Sequence, residues 1–311
     1  MALWSRARPS RQWSVVVAAP KGPDGDQWGD TWFAQDVVDA LERAGERARV
    51  VRRGGASSAA REDDDVVLVL RGLRRVVPRR GRATWLLWVI SHPELVEADE
   101  PADYDAAFAA SAHWSRADDF GAPVAPLLQA TAPERFRPEA AAPDTGARVL
   151  FVGSTRGEFR PIVRDALAAG VEVDLYGVGW EKYVSPDQVA GAGLPNADLP
   201  AAYAAAGVVL NDHWADMAAE GFVSNRLFDA AAAGTRVLSD RAVGVREVFG
   251  DVVRTYDEPA MLGPMLTGDL DDAFPARAER LALARHVAQE HSFDARVAVL
   301  VETVDRLRGA R

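Results

Sequence analysis

The sequence predicts an α/β protein: two doubly wound parallel-sheet domains facing a central cleft, with a helical C-terminal tail. Three observations carry this. The chain has 311 residues, enough for two domains of ordinary size. Short, continuously apolar runs of strand length alternate with helical patterns, as parallel strands covered on both faces do. The alternation stops once, at the Pro/Ala-rich stretch "TAPERFRPEAAAPDTGA" (Thr131 to Ala147), and then restarts.

Residues 1–12 are basic but lack the apolar segment of a signal peptide, so they read as a disordered lead. "WSVVVAAP" (Trp13 to Pro20) is a buried strand, ended by the Pro/Gly-rich loop "PKGPDGDQWGD". Thr31 to Ala44 places Phe33, Val37, Val38 and Leu41 on one helical face. "RARVV", "DVVLVLRG" and "TWLLWVI" are β-branched runs of strand length, and "DAAFAAS" and "PVAPLLQA" suggest two more strands. These elements define a first domain over 13–135, followed by a linker over 136–146. The second domain, 147–275, reads as "RVLFVG" strand, Pro161 to Ala169 helix, "VEVDLYG" strand, "DLPAAYAAA" helix, "VVLND" strand, a helix after Ser224, and "TRVLSD" strand. Residues 276–311 are expected to be helices packing back across both lobes, with Leu281, Val287, Val297, Leu300, Val301 and Val304 buried.

Composition excludes several chemistries. There are no cysteines, hence no disulfide, thiolate metal site or cysteine nucleophile, which fits a cytoplasmic protein. A net charge of −10 disfavours nucleic acid and anionic lipid as partners. No apolar run is long enough to span a bilayer. An anionic small ligand therefore needs a local basic pocket. That pocket must be built from Arg, because Lys occurs only at 21 and 182.

In open parallel sheets, ligands bind beyond the C-terminal ends of the strands. Polar residues collect there: Gly29-Asp30, Ser91-His92, Gly153-Ser154, Asn211-Asp212 and Ser224-Asn225-Arg226. In "EGFVSNRLFDAAAAGTRVLSD" (Glu220 to Asp240), Ser224 or Asn225 is a candidate N-cap. The helix amides and dipole favour an anion there, and Arg226 adds a planar fork for phosphate oxygens. Asp229 follows Asn225 by one helical turn and could accept from a sugar hydroxyl, with Glu220 on the approach loop. The plain alternative is a capped helix with Arg226 paired to Asp229. In "VGSTRGEFRP", Arg156 and Arg160 flank a helix start, but neither a dinucleotide fingerprint nor a Walker loop is present.

Gly29, in "DQWGDTWFAQD", allows close backbone approach, and Trp28 and Trp32 are read as buried in preference to stacked on a ligand. His92, in "WVISHPE", could bond a substrate hydroxyl, whereas His113 and His213 have less support and His286 and His291 are structural. Asp63 to Asp65 precede a buried strand at the end away from the expected site, so they are not read as metal ligands. No G-x-S-x-G elbow supports hydrolase chemistry.

The segment "VVLNDHWADMAAEGFVSNRLFDAAAAGTRVLSD" resembles the donor-binding segment of bacterial group-1 glycosyltransferases, in their CgeB-like (spore-maturation-protein-like) branch. "RVLFVGSTRGEFRPIV", "VDLYGVGWE", "WGDTWFAQDVVDAL", "LWVISHPE" and "PLLQATAPERFRP" are similar to other parts of that branch, so the likeness runs from about Val15 to Arg296. It implies a GT-B fold: two Rossmann-like lobes, acceptor on the first, nucleotide-sugar donor on the second. Carried over, Glu220 and His92 take catalytic roles. Arg226, Asn225, Arg160, Gly29 and Asp30 take the donor diphosphate, and Asp229, Ser224 and Asn211 the ribose or sugar. The resemblance implies a hexosyl transfer from a nucleoside-diphosphate sugar with retention, and no metal or other cofactor. The acceptor is left open among glycan, lipid-linked and small-molecule classes. Two departures stand out. Eight residues separate Glu220 from Asp229 where relatives have seven, and no Lys lies near the site. A non-catalytic nucleotide-sugar or glycan-binding protein and a nucleotide-sugar epimerase are the alternatives on this fold.

Overall fold

A computed structural model of the chain describes residues 10–26, 28–53, 63–79, 81–117, 119–138 and 149–309. Residues 1–9 of the expected lead and 139–146 of the expected linker lie outside them. In chain order the strands are β1 (Gln12–Val16), β2 (Arg47–Val51), β3 (Val66–Arg71), β4 (Thr84–Val89), β5 (Ala106–Ala109), β6 (Val124–Pro126), β7 (Val149–Val152), β8 (Val173–Tyr176), β9 (Val189–Gly191), β10 (Val208–Asn211), β11 (Arg236–Asp240) and β12 (Arg254–Tyr256). The helices are α1 (Pro23–Asp26), α2 (Gly29–Arg43), α3 (Pro161–Ala168), α4 (Leu199–Ala205), α5 (Ala215–Glu220), α6 (Asn225–Ala232), α7 (Val245–Phe249), α8 (Leu262–Thr267), α9 (Leu270–Ala273), α10 (Arg277–Glu290) and α11 (Phe293–Gly309).

The chain forms two compact units. The first comprises residues up to Ala109, Ala117–Ala125, and Phe293 onward; the second comprises Ala110–Arg116 and Pro126–Ser292. Each holds one six-stranded sheet, with orders β2-β1-β3-β4-β5-β6 and β12-β11-β10-β7-β8-β9. Adjacent strands run parallel, for example Trp13–Val16 beside Val66–Val69 and Val208–Asn211 beside Arg236–Ser239. The β-branched and aromatic runs became strands because they fill both faces: every residue of β3 and β4 is buried. Each such side chain contributes about 1.5–3 kcal/mol of burial.

In the first unit, α2 lays Phe33, Val37, Val38 and Leu41 on the sheet, the face its periodicity predicts. Phe33 meets Trp88 and Phe293 edge-on, with ring centroids 5.3 and 4.9 Å apart, which ties α11 to α2. The acidic run before β3 is used structurally. Asp64 accepts from Ser14 Oγ at 2.9 Å and from Arg49, and Asp65 accepts the Gln12 amide at 3.0 Å.

In the second unit, α10 packs against α6. The alanines Ala230 to Ala233 are buried and leave room for that approach, and Gly234 at φ +72° ends the helix in the left-handed region. Of the expected tail core, Val287, Val297, Leu300 and Val304 are buried, while Leu281 and Val301 are half-buried. The stretch from Thr131 to Pro138 is not open linker. Phe136 is in the core, 5.9 Å from the Tyr203 ring, and Thr131 pairs with Ser292. Pro and Ala composition concealed this, because a single aromatic anchor leaves no periodicity.

Both sheets reverse their winding. In the second unit the chain goes from β7 outward to β8 and β9, then returns to place β10 on the other side of β7. The C-terminal ends of β7 and β10 therefore flank a topological switch point, where the outgoing loops part and leave a crevice.

Candidate functional site

Arg226 is directed into that switch point. It enters from the first turn of α6 and donates from Nη2 to the Val152 carbonyl at 2.6 Å and from Nη1 to Asn211 Oδ1 at 3.1 Å. Its guanidinium lies 5.0 Å from the Phe151 ring centroid. The plain alternative, an Arg226–Asp229 surface pair, does not form: both partners of Arg226 in these bonds are neutral, so its charge is held but not cancelled. Gly153 makes room, since a Cβ there would stand 3.1 Å from Arg226 Nη2. Gly177 makes room for Gly153 in turn, because its own Cβ would fall 2.1 Å from the Gly153 carbonyl oxygen.

Two further guanidiniums stand near. Arg160 is buried and donates from Nε to Asp212 Oδ2 at 2.8 Å, from Nη2 to Asp212 Oδ1, and from Nη1 to the Ser154 carbonyl at 3.0 Å. It also packs 5.2 Å from the Phe151 centroid. Arg156 is exposed as a residue, but its guanidinium lies 4.6 Å over the Trp214 ring. Burial, then the charges of Arg156 and Arg226, push Arg160 below the ordinary guanidinium range. Desolvation, then the Arg226 charge, brings Arg156 down to about 10. Three cations at one switch point oppose each other, and an anion bound among them relieves that repulsion.

A second set of bonds sets the entrance of α6. His213 Nδ1 lies 2.6 Å from Asp240 Oδ1, and His213 Nε2 accepts the Ser224 amide at 3.0 Å. The amide fixes Nε2 as acceptor, so the proton belongs on Nδ1, facing the carboxylate. Both ring nitrogens are then occupied, which makes His213 a positioning residue. Sequence spacing could not pair it with Asp240, but strand register can, because Asn211 lies beside Ser239.

Most of the other expected site residues bond within the protein. Arg160 pairs with Asp212 and holds the loop after β7. Asn211 is fully buried, accepting from Arg226 and donating to Ser239 Oγ at 2.9 Å, so it orients Arg226. Asn225 donates from Nδ2 to Asp229 Oδ2 at 2.9 Å, so its side chain cannot also donate that bond to a diphosphate. Asp229 is buried in the helix and accepts from Thr131 Oγ1 at 2.8 Å through its other oxygen, which anchors the start of α6. Ser224 occupies the N-cap position without a side-chain capping bond. Glu220 closes α5, half-buried; its carbonyl accepts from Ser111 Oγ at 2.5 Å, and Gly221 at φ +75° turns the chain away.

Gly29, Asp30 and His92 belong to the first unit. Gly29 and Asp30 open α2, where Trp28 gives no side-chain cap. Burial raises the Asp30 carboxyl above its ordinary range, opposed by the charge of His92. His92 sits in the left-handed region at φ 54°, with Nδ1 3.1 Å from Glu94 Oε1. Strain of this kind in a non-glycine residue collects at functional sites.

Two doubly wound units with polar loops at the C-terminal strand ends are the GT-B architecture, and solved structures agree. The fold is similar to AviGT4, a glycosyltransferase involved in avilamycin A biosynthesis, with a TM-score of 0.65, 18% identity, 97% of this chain covered and 99% of that one. It is similar to sucrose-phosphate synthase from Thermosynechococcus elongatus, at 0.65 and 15%, covering 97% and 100% of the two chains. It is also similar to Anabaena HepE in complex with UDP and glucose, at 0.67 and 14%, covering 95% and 100%. Residues 156–302, which carry Arg156, Arg160, Glu220 and Arg226, match the family model described as glycosyl transferase-like. A search among curated proteins finds no match.

Proposed function

We propose that the protein transfers a sugar from a nucleoside-diphosphate sugar to an acceptor hydroxyl, with retention and without a divalent cation. The observation that carries the reading is the guanidinium cluster at the switch point of the second unit. When the glycosidic bond to the diphosphate breaks, negative charge grows on the departing β-phosphate. Arg226, fixed by Asn211 and the Val152 carbonyl, and the first amides of α6 stabilise that charge without having to reorganise. These fixed cations supply what a metal ion supplies in other phosphate chemistries. On this reading Ser224 and Asn225 border the donor ribose or sugar, and Asp229 acts through Asn225. Glu220 stands beside the transferred sugar. His92, with its Nδ1 facing Glu94, hydrogen-bonds a hydroxyl of the reacting partners. Retention rests on the resemblance to group-1 enzymes. The HepE complex with UDP and glucose makes UDP-glucose the first donor to try.

The test is release of nucleoside diphosphate from UDP-, GDP-, dTDP- and ADP-glucose, with and without EDTA. Slow hydrolysis of one donor, unaffected by EDTA, is expected. Arg226→Ala should weaken binding of the matching diphosphate by about 1.5–3 kcal/mol, the worth of a charge-assisted hydrogen bond. Unchanged affinity removes Arg226 from the site, and a strict metal requirement overturns the metal-free mechanism. Tight binding without any turnover, with or without candidate acceptors, would identify a binding protein instead.

A further inference from the structure

Resting on the reading above, we propose that Ser111 is a positioning residue for the transfer reaction: it fixes the main chain of Glu220 and so sets where the Glu220 carboxylate stands. Ser111 lies in the segment Ala110–Arg116, which follows β5 in sequence but belongs to the second unit. It is fully buried. Its Oγ donates to the Glu220 carbonyl at 2.5 Å and accepts the amides of His113 at 3.1 Å and Trp114 at 2.9 Å. One proton and two lone pairs are all that a serine hydroxyl offers, so each is committed.

Helix chemistry gives this bond its purpose. The last carbonyls of a helix have no partner within it. At the end of α5, Met217 accepts from the Phe222 amide and Ala218 from the Val243 amide, both at 2.9 Å. Glu220 is the final residue, Gly221 turns the chain at φ +75°, and the Glu220 carbonyl is met by a side chain from 109 residues upstream. Gly221 also leaves the space for that approach, since a Cβ there would stand 3.0 Å from Ser111 Oγ and 3.3 Å from His113 Cβ. Beside it, the buried rings of Trp114 and Phe222 meet edge-on with centroids 5.6 Å apart. The segment and the end of α5 are therefore joined at two points, one polar and one aromatic.

The Glu220 side chain is treated differently from its main chain. Among the described residues its carboxylate, half-buried, makes no hydrogen bond or ion pair. A carboxylate without a resident partner, carried on an anchored backbone, is ready for a ligand: no existing bond has to break when one arrives. A glutamate side chain is long and rotatable, so its reach is defined only if its Cα is fixed. A misplacement of about 1 Å at a reacting centre can cost about 100-fold in rate, which makes the anchor matter to turnover.

The experiment is a double-mutant cycle on the full chain, with Ser111→Ala, Glu220→Ala and both together, read as nucleoside diphosphate release from UDP-, GDP-, dTDP- and ADP-glucose. Ser111→Ala is expected to lower kcat by about 10- to 100-fold while the donor KM stays within about twofold. In the Glu220→Ala background the same substitution should change kcat by less than about threefold, because nothing is left to position. If Ser111→Ala does not fold, Ser111→Cys fills the same place with a weaker donor and is read in the same cycle. A kcat unchanged by the Ser111 substitution, or lowered equally with and without Glu220, overturns this inference alone. An unchanged kcat in Glu220→Ala removes Glu220 from the site and this inference with it, leaving the diphosphate contacts standing. Wild type that releases nucleotide from none of the four donors overturns it together with the proposed function.

Discussion

Removing Asp212 should cost the second unit a large part of its stability. The side chains of Arg160 and Asp212 are 1% and 2% exposed, so neither charge is solvated. Asp212→Ala would leave a buried guanidinium with no carboxylate, only the Ser154 carbonyl at 3.0 Å, the backbone carbonyl of position 212 at 3.4 Å and the Phe151 ring. Breaking a buried pair from one side typically costs about 3–5 kcal/mol, because the surviving charge is uncompensated. Here Arg156 and Arg226 stand nearby with the same sign, which pushes toward the upper end. Against a total of about 5–15 kcal/mol that is severe, and corresponds to roughly 6–20 °C in melting temperature for a unit of this size. The control is Arg160→Met with Asp212→Leu. It removes both charges and should recover most of the loss, since well-packed apolar replacements of a buried pair are close to neutral. Urea titrations of wild type, both single variants and the double variant give the coupling energy directly. A loss below about 1 kcal/mol for Asp212→Ala would refute the reasoning, as would a double variant no more stable than either single one.

Three other outcomes follow from the same geometry. His213→Ala removes the acceptor of the Ser224 amide and the partner of Asp240, and should lower the urea-derived stability by about 1.5–3 kcal/mol and weaken nucleotide binding by loosening the entrance of α6. Gly153→Ala and Gly177→Ala should differ in kind. The first displaces Arg226 and is read in nucleotide affinity; the second places a Cβ 2.1 Å from a carbonyl oxygen at φ +146° and should cost more than about 2 kcal/mol in a melt. Asp30→Asn should stabilise the protein at pH 7 and not at pH 3.5. A carboxyl raised above its unfolded value keeps its proton longer when folded, so stability falls as pH rises through the carboxylate range. An equal melting-temperature change at both pH values would refute this.

The individual ligand contacts were less legible in the sequence than the fold. Arg226 could be placed at a helix entrance from the residues around it, and the structure puts it at a switch point. Arg160 and Arg156 were both visible as basic residues at a helix start, but nothing in "VGSTRGEFRP" says which is cancelled. That depends on Asp212, 52 residues on from Arg160. Asn225 and Asp229 were rightly seen one turn apart. What could not be seen was that Thr131, far upstream, shares the same carboxylate and draws it inward. His213 had no usable spacing, because its partner Asp240 comes from the next strand of the sheet.

By itself, then, the sequence determined two parallel sheets, the strand ends where polar residues collect, and a helix entrance led by Ser224 and Asn225. These are local properties, set by β-branched runs, helical periodicity and capping chemistry within a few residues. Only the tertiary structure decided which charges survive. Whether a guanidinium is neutralised depends on which carboxylate the folded sheet brings within 3 Å, and strand order and register control that. Arg160 found Asp212 and became part of the frame. Arg156 found an indole and Arg226 a carbonyl and an amide, which hold their guanidiniums with neutral partners.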